Sequence, residues 1–320
     1  MILALALDAA SVSAKVDAVA ARAKLAGVIL VGKGDRIIVE KGYGTVDPAG
    51  GKRHDPKARW RLASITKQVT ATMIMRRHSD DLDRPLGSRG FPPLGALTLR
   101  QLLTHHTGLA NPDASPMRDG VPSFYLAPAP NVTYCLAKRP DPGAAFAYNN
   151  CDYMVATVGL YGSGALKWPA GMSMAVTGET GVPGFVAGKP EPHYELASFG
   201  AAGGLIGTAR DVFAFDRALM TGKLLSAAAR AELWKPEGAR SYQALGQWVF
   251  PATLKGCTAP KTIVERDGEI GGVQTRNYIL PGDDISIVVF TNRSPGDFAF
   301  GDIWQGAGFA YDLLSAVACP

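Results

Sequence analysis

The spacing of apolar residues changes along the chain, and the changes predict which elements form. Residues 8–25 have apolar side chains at helical spacing, and two β-branched runs at 28–31 and 37–39 flank a glycine-containing turn. Such a pair of runs predicts a β-hairpin. In the C-terminal quarter, four strand-like runs are followed by a helical stretch, at 244–250, 261–266, 273–280, 285–291 and 298–317.

The middle of the chain combines helical spacing with loops. Helices are predicted at 64–78, 97–103, 132–137, 151–162, 211–221 and 226–234. Proline and glycine make most of 110–147 and 163–200 irregular. We therefore predict an α+β fold, with an antiparallel sheet built from the N- and C-terminal segments and flanked by helices. Residues 1–75 and 240–320 would form this sheet subdomain and 76–239 a mainly helical subdomain, with the active site at their junction.

Composition narrows the possible partners. The chain has 320 residues, of which 47% are hydrophobic, and this is enough for a large core. The net charge of +5 is spread without basic blocks, which argues against nucleic-acid binding. No apolar run reaches transmembrane length. A small-molecule substrate is the expected partner, and the oligomeric state stays open.

The cysteines and the N-terminus bear on the compartment. Four cysteines without a C-x-x-C pair argue against structural zinc and allow three disulfide pairings. We hypothesise the pairs Cys135–Cys151 and Cys257–Cys319. The apolar residues 1–7 are either a signal-peptide remnant or the first turn of a helix. We expect a periplasmic or secreted protein, with a cytoplasmic one as the alternative.

The candidate chemistry begins at Ser64, Ile65, Thr66 and Lys67, which read S-x-x-K at the start of a predicted helix. Residues three apart share one helix face, so the lysine lies within reach of the serine. Serine needs a neighbouring base to act as a nucleophile, and a lysine of lowered pKa can be that base. The alternative is that Ser64 only caps the helix and Lys67 is a solvated charge.

A second element lies downstream. Tyr148 and Asn150 follow a Pro-Gly turn and read Y-x-N. A tyrosine near positive charge can exchange protons, and an asparagine can hydrogen-bond a substrate amide. The alternative is a buried tyrosine followed by a turn-forming asparagine. Adjacent His105 and His106 have no acidic neighbour in sequence, which argues against a metal site, and no cofactor is expected.

Taken in order, these motifs resemble the serine β-lactamase and penicillin-binding-protein superfamily, in its class C-like branch of small serine hydrolases. The resemblance covers nearly the whole chain and includes the hairpin, the stretch 99–109, the Ala-Gly-Gly stretch at 202–204 and the last strands. It implies that Ser64 is acylated, that Lys67 and Tyr148 share its proton, and that Asn150 binds substrate. The oxyanion would bind the backbone N–H groups of Ser64 and Glu269, next to Gly268.

The chain departs from the family pattern at one element. The family usually has Lys-Thr-Gly or His-x-Gly on a strand lining the site, whereas this chain has Arg266-Asp267-Gly268. Arginine stays protonated and cannot relay protons. Arg266 could bind a substrate carboxylate, hold Tyr148 toward phenolate, or turn away to pair with Asp267 or Glu269.

The resemblance implies a serine hydrolase that forms an acyl-enzyme with a β-lactam, an ester or a D-residue peptide. Two alternatives remain. One is a non-turnover binding or sensor protein with the same fold, and the other is a penicillin-binding type that is acylated but deacylates slowly. The fold and the motifs do not choose among these substrates.

Overall fold

The computed structural model describes residues 9–161, 166–238 and 241–319, so the apolar segment 1–7 lies outside the described residues. The helices are α1 (Ala9–Arg22), α2 (Ile65–His78), α3 (Leu99–Leu103), α4 (Val132–Cys135), α5 (Asn150–Tyr161), α6 (Gly200–Gly203), α7 (Ala209–Met220), α8 (Ala227–Leu233) and α9 (Phe309–Ala318). None of the described helices is long and apolar enough to cross a membrane.

The strands occupy both ends of the chain and, in shorter pieces, its middle. They are β1 (Gly27–Lys33), β2 (Arg36–Tyr43), β3 (Thr45–Asp47), β4 (Gly50–Arg53), β5 (Trp60–Arg61), β6 (Met117–Arg118), β7 (Val121–Pro122), β8 (Ser173–Met174), β9 (Phe185–Val186), β10 (Lys189–Pro190), β11 (Leu205–Gly207), β12 (Gln243–Ala244), β13 (Gln247–Ala252), β14 (Lys261–Ile270), β15 (Val273–Leu280) and β16 (Ile285–Thr291).

Within the described chain, seven strands form the main sheet in the order β12-β13-β14-β15-β16-β1-β2. Neighbouring strands are antiparallel, and β1 from the N-terminus pairs with β16 from the C-terminus. This confirms the predicted α+β fold with a sheet built from both chain ends. The proposed subdomain boundaries stay a prediction.

Both faces of the sheet are covered. On β1, Val28 and Leu30 join the core cluster shared with α2, whereas Ile29 and Val31 join the cluster shared with α1 and α9. Because side chains alternate between faces, a strand covered on both sides has a continuous apolar sequence. That is why 28–31 reads as an unbroken apolar run.

Helix α2 is more deeply buried than its sequence predicts. The apolar spacing predicts burial on one side, but every residue from Ile65 to Met75 is buried. The polar residues tolerate this position because they are hydrogen-bonded. Gln68 donates to Gln247 Oε1 at 2.8 Å, and Thr70 donates to the Ala201 carbonyl at 2.8 Å.

Two predicted elements near the C-terminus are corrected. The helix predicted at 298–317 begins only at Phe309, because Gly301, Gly306 and Gly308 have positive φ angles of 72°, 68° and 102°. Positive φ interrupts a right-handed helix, and glycine adopts it at little cost. The strand predicted at 244–250 is divided into β12 and β13 by a turn at Gly246, where φ is 80°.

Both hypothesised disulfides are confirmed. Cys135 pairs with Cys151 across 16 residues, and Cys257 pairs with Cys319 across 62 residues. The first joins α4 to α5, and the second attaches the end of α9 to the loop after β13.

Candidate active site

Ser64 lies where a short strand passes into α2. The preceding Ala63 has a φ of 47°, a left-handed conformation that is uncommon for a residue with a Cβ. Ser64 occupies the N-cap position, but its side chain makes no capping hydrogen bond. The alternative that the Ser64 hydroxyl only caps the helix is therefore wrong, and the hydroxyl is directed elsewhere.

The Ser64 hydroxyl meets two of the predicted partners. Its Oγ lies 2.6 Å from Tyr148 Oη and 3.1 Å from Lys67 Nζ. Lys67 reaches it because the two residues lie one helical turn apart. Tyr148 comes from the residue segment just before α5, 84 positions away in sequence. The structure thus brings together the three residues predicted to be catalytic.

Lys67 is fully buried beneath Ser64. Its Nζ donates to Asn150 Oδ1 at 2.5 Å and to the Ala202 carbonyl at 2.8 Å. Burial first, and then the positive charge of Arg266, hold the pKa of Lys67 well below its ordinary value of 10.5. A neutral amine uses two N–H groups on Asn150 and Ala202, and its lone pair is then free to face Ser64 Oγ.

Tyr148 connects Ser64 to Arg266. Arg266 Nη2 donates to Tyr148 Oη at 2.8 Å, and the His105 ring packs 4.6 Å from the Tyr148 ring. Burial raises the pKa of Tyr148 above 10.0, and the charge of Arg266 opposes this only in part. The interpretation that Arg266 holds Tyr148 as phenolate is therefore corrected, because desolvation outweighs the charge. The phenol keeps its proton and can donate it.

Arg266 is directed into the site. Its Nε donates to the Ser64 carbonyl at 3.0 Å, and its guanidinium lies 4.7 Å from the Trp248 ring. Among the described residues it forms no ion pair with Asp267 or Glu269, so the interpretation that it turns away is wrong. Its Nη1 is buried and has no hydrogen-bond partner in the described chain, which leaves one donor free.

Strand β14 passes very close to the start of α2. A Cβ added at Gly268 would lie 2.7 Å from the Ser64 backbone nitrogen and 2.9 Å from the Leu62 carbonyl oxygen. Only glycine permits this approach. Glu269 follows Gly268 on β14, and its side chain is exposed.

These residues line one cavity of about 470 Å³. Six of the predicted site residues are part of its wall, namely Ser64, Tyr148, Asn150, Arg266, Gly268 and Glu269. Lys67 lies directly underneath. A cavity of this size accepts a small molecule or the end of a peptide.

Sequence reasoning missed part of the wall. Tyr125 stacks on Phe199 with ring centroids 4.1 Å apart, and its hydroxyl donates to Asp113. The same hydroxyl accepts a 2.8 Å hydrogen bond from Asn150 Nδ2. Both polar atoms of the Asn150 amide are therefore engaged by the protein. Tyr125 belongs to a proline-rich stretch without periodicity, and no sequence signal marked it.

The two adjacent histidines contact different acidic residues. His105 is buried, with its Nδ1 2.8 Å from Asp152 Oδ2, whereas His106 Nε2 lies 3.1 Å from Glu237 Oε2. Burial lowers the pKa of His105 and raises that of Asp152, so both shifts disfavour the charged forms. No group of three potential metal ligands occurs in the described parts of the chain.

An antiparallel sheet packed against a buried helix that opens with S-x-x-K defines the class of β-lactamase-like folds. The family model Beta-lactamase matches residues 12–310. The chain therefore belongs to the Beta-lactamase family, which confirms the resemblance inferred from the motifs.

Solved structures agree on the fold. D-amino acid amidase from Ochrobactrum anthropi SV3 aligns with a TM-score of 0.74 and 18% identity, over 96% of this chain and 97% of that chain. The class C β-lactamase from Rhodobacter sphaeroides aligns with a TM-score of 0.67 and 19% identity, over 95% of this chain and 98% of that chain. The penicillin-binding protein from Bacillus halodurans aligns with a TM-score of 0.67 and 20% identity, over 94% of this chain and 98% of that chain.

Proposed function

We propose that this protein is a serine hydrolase that forms an acyl-enzyme on Ser64. The observation that carries the proposal is the position of Ser64 Oγ, 2.6 Å from Tyr148 Oη and 3.1 Å from Lys67 Nζ, at the wall of a cavity. A nucleophile within hydrogen-bond reach of a neutral base is the arrangement that acyl transfer requires.

We assign one direction to the hydrogen bonds around Ser64, with Lys67 as a neutral amine. Arg266 donates to Tyr148, the Tyr148 phenol donates to Ser64 Oγ, and the Ser64 hydroxyl donates to the neutral amine of Lys67. As Ser64 attacks the substrate carbonyl, its proton passes to Lys67. Tyr148 gives its phenol proton to the leaving group. The Lys67 ammonium then returns a proton to Tyr148. Water then hydrolyses the ester formed on Ser64.

The remaining residues bind charge and substrate. The backbone N–H groups of Ser64 and Glu269 are assigned to the oxyanion, because Gly268 lets β14, which carries Glu269, approach Ser64 closely. The free Nη1 of Arg266 is assigned to a substrate carboxylate, for which an arginine is well suited. Asn150 is assigned to the substrate through the second N–H of its Nδ2, because its Oδ1 accepts from Lys67 and its first N–H donates to Tyr125.

We propose the substrate class from this chemistry. One acyl-transfer mechanism serves β-lactams, esters, and peptides or amides of D-residues. The printed names of the structural neighbours include a D-amino acid amidase, a class C β-lactamase and a penicillin-binding protein. These names support β-lactams and D-amino acid amides as substrates.

Three chromogenic substrates test the proposal: a cephalosporin, a p-nitrophenyl ester and a D-amino acid p-nitroanilide. We expect steady turnover of at least one of them. Intact mass spectrometry should detect a short-lived acyl adduct. Ser64→Ala should abolish both signals, whereas Ser79→Ala, at the other end of α2, should leave them unchanged.

Other outcomes identify the alternatives. An adduct that persists for hours without turnover would identify a penicillin-binding type. Neither adduct nor turnover, with retained binding of the β-lactam, would identify a non-turnover binding protein, in which arginine in place of the family lysine or histidine has ended catalysis.

We also propose that the protein works in the periplasm or outside the cell. The two disulfides support this, because such bonds persist in oxidising compartments. Cell fractionation of the producing organism checks it, and recovery of the protein with reduced thiols in the cytoplasm would contradict it.

A further inference from the structure

A second cavity of about 470 Å³ adjoins the first. The two share Phe146, Trp248 and Asp267 in their walls. Pairing of β13 with β14 ends at Trp248 and Glu265, so in the described chain β14 has a free edge from Arg266 onward. The two cavities therefore meet around this edge.

The outer wall of the second cavity is aromatic. Phe146, Tyr242 and Trp304 are 48%, 46% and 62% exposed, which is unusual for such large side chains. Trp248 and Phe250 line the cavity further in. Exposed aromatic rings around a cavity are typical of a binding surface.

The wall of this cavity is rich in acidic groups. Glu265, Asp267 and Asp302 contribute carboxylates. Gln243 is 3% exposed, and its Oε1 has no hydrogen-bond partner among the described residues while its Nε2 donates to Ala244. A buried acceptor without a donor is costly, and a ligand that brings N–H groups would satisfy it.

The one cation in the described wall, Arg276, makes its close contacts with groups other than these acids. Its guanidinium lies 4.4 Å from the Phe300 ring, and its Nη1 donates to the Thr275 carbonyl at 2.9 Å. It forms no ion pair with Glu265, Asp267 or Asp302 in the described chain, where Asp302 only accepts a hydrogen bond from Gln305. The described wall therefore holds three acidic side chains and one guanidinium, with no ion pair between them.

We propose that this cavity binds a cationic ammonium group carried by the substrate whose carbonyl reaches Ser64. The carboxylates attract the charge, Gln243 Oε1 accepts one of its N–H groups, and the aromatic rings add cation–π attraction. The inference rests on the proposed hydrolase function and narrows it to amine-bearing substrates.

The proposal also predicts that binding depends on pH. Burial, followed by the charge of Asp267, raises the pKa of Glu265 to about 8. The other charged or titratable groups near it are Arg276, Asp302, Arg266 and, from β15, Tyr278. A bound cation favours the ionised carboxylate and lowers this pKa. Affinity for a cation should therefore rise as the pH rises toward 8.

Calorimetry on the Ser64→Ala protein tests this without any need for turnover. We expect benzylammonium to bind at least about tenfold more tightly than benzyl alcohol, because only the former is charged. The double variant Glu265→Gln, Asp302→Asn should bind benzylammonium about tenfold more weakly, and its affinity for benzyl alcohol should change little. Trp304→Ala should weaken the binding of benzylammonium. Because the Trp304 ring is exposed, this variant should still fold.

The controls separate this inference from the proposed function. Asp119→Asn, an exposed acid outside the cavity, should bind benzylammonium like the parent. Benzyltrimethylammonium, whose charge does not titrate, should bind more tightly at pH 8.5 than at pH 6, and Glu265→Gln should remove that difference. Equal affinity for the amine and the alcohol, or unchanged affinity in the double variant and in Trp304→Ala, would overturn the inference. Failure of the unmodified enzyme to turn over any substrate would instead count against the hydrolase.

Discussion

At the scale of single residues, burial does more than charge to prepare the site. Lys67 and Tyr148 lie within one hydrogen-bond network, and burial moves their pKa values apart, lowering the first and raising the second. The amine therefore loses its proton at a lower pH than an exposed lysine does, and the phenol keeps its proton to a higher pH than an exposed tyrosine does. A base and a proton donor therefore contact the same hydroxyl.

This separation predicts the pH dependence of the proposed reaction. Because Lys67 must be neutral to accept a proton, kcat/KM should rise with pH through its lowered pKa, well below 10.5, and then stay level across neutral pH. It should fall only where Tyr148 ionises, above pH 10.0. Initial rates with a neutral p-nitrophenyl ester, corrected with Ser64→Ala blanks, measure both limbs. An acidic limb at the ordinary lysine value would contradict the role of Lys67.

Arg266 offers a second test at this scale. Arg266→Ala removes the free Nη1 donor together with the hydrogen bond to Tyr148, so all substrates should slow. A substrate with a carboxylate beside the carbonyl should lose roughly 10–100-fold more in kcat/KM than a neutral ester, because a charge-assisted hydrogen bond is lost in addition. The ratio of the two losses is the measurement. Equal losses would refute the carboxylate role.

At the scale of elements, the decisive contact is between β14 and the start of α2. Arg266 and Gly268 face Ser64 from this strand, and the register with β15 places Gly268 opposite Thr275. Thr275 Oγ1 donates to the Leu62 carbonyl at 3.0 Å and so joins the sheet to the turn before Ser64. The strand holds the nucleophile in place as well as lining the cavity.

Gly268→Ala tests this contact. The new Cβ would lie within 3 Å of two backbone atoms, so β14 must move away from Ser64. We expect activity to fall at least about 100-fold and the protein to lose about 1–3 kcal/mol of stability, as in other overpacked sites. Thermal unfolding and ester hydrolysis measure the two effects.

Gly282→Ala is the matched control, because nothing lies within 4 Å of its added Cβ. It should keep full activity and stability. Activity of Gly268→Ala equal to that of this control would show that the close approach is unimportant.

At the scale of the whole molecule, distant parts of the chain meet at one site and two disulfides connect further distant parts. The Cys135–Cys151 bond attaches α4 next to Asn150, whereas Cys257–Cys319 attaches α9 on the opposite face of the sheet. The first disulfide therefore supports the site directly, and the second supports the fold.

Paired serine substitutions distinguish these roles. Loop closure predicts a loss of about 4 kcal/mol for Cys257→Ser, Cys319→Ser and about 3 kcal/mol for Cys135→Ser, Cys151→Ser, since the closed loops differ in length. Activity should fall more in the second variant, because its bond lies beside Asn150. Denaturant unfolding and kcat/KM measure these effects. A larger activity loss in the first variant would contradict the assignment.

Much of the architecture could be predicted from the sequence, because it depends on local patterns. The hairpin, the helix after Ser64 and the strands β15 and β16 follow from apolar spacing and glycine turns, and the predicted bounds of 273–280 and 285–291 agree with the structure. The start of α9 could not be predicted this way. Helical spacing extends upstream of Phe309, and only the backbone conformation of the glycines ends it.

The sequence by itself determined the residue types of the site. It determined a serine and a lysine one helical turn apart, a Y-x-N element, and an arginine and a glycine on a late strand, because motif chemistry depends on identity and short spacing. Only the tertiary structure decided their state. Whether Lys67 is neutral, whether Tyr148 keeps its proton and where Arg266 points depend on burial and on neighbours more than 80 residues away in sequence. Desolvation and long-range contact are properties of the packed molecule, and a linear pattern does not encode them locally.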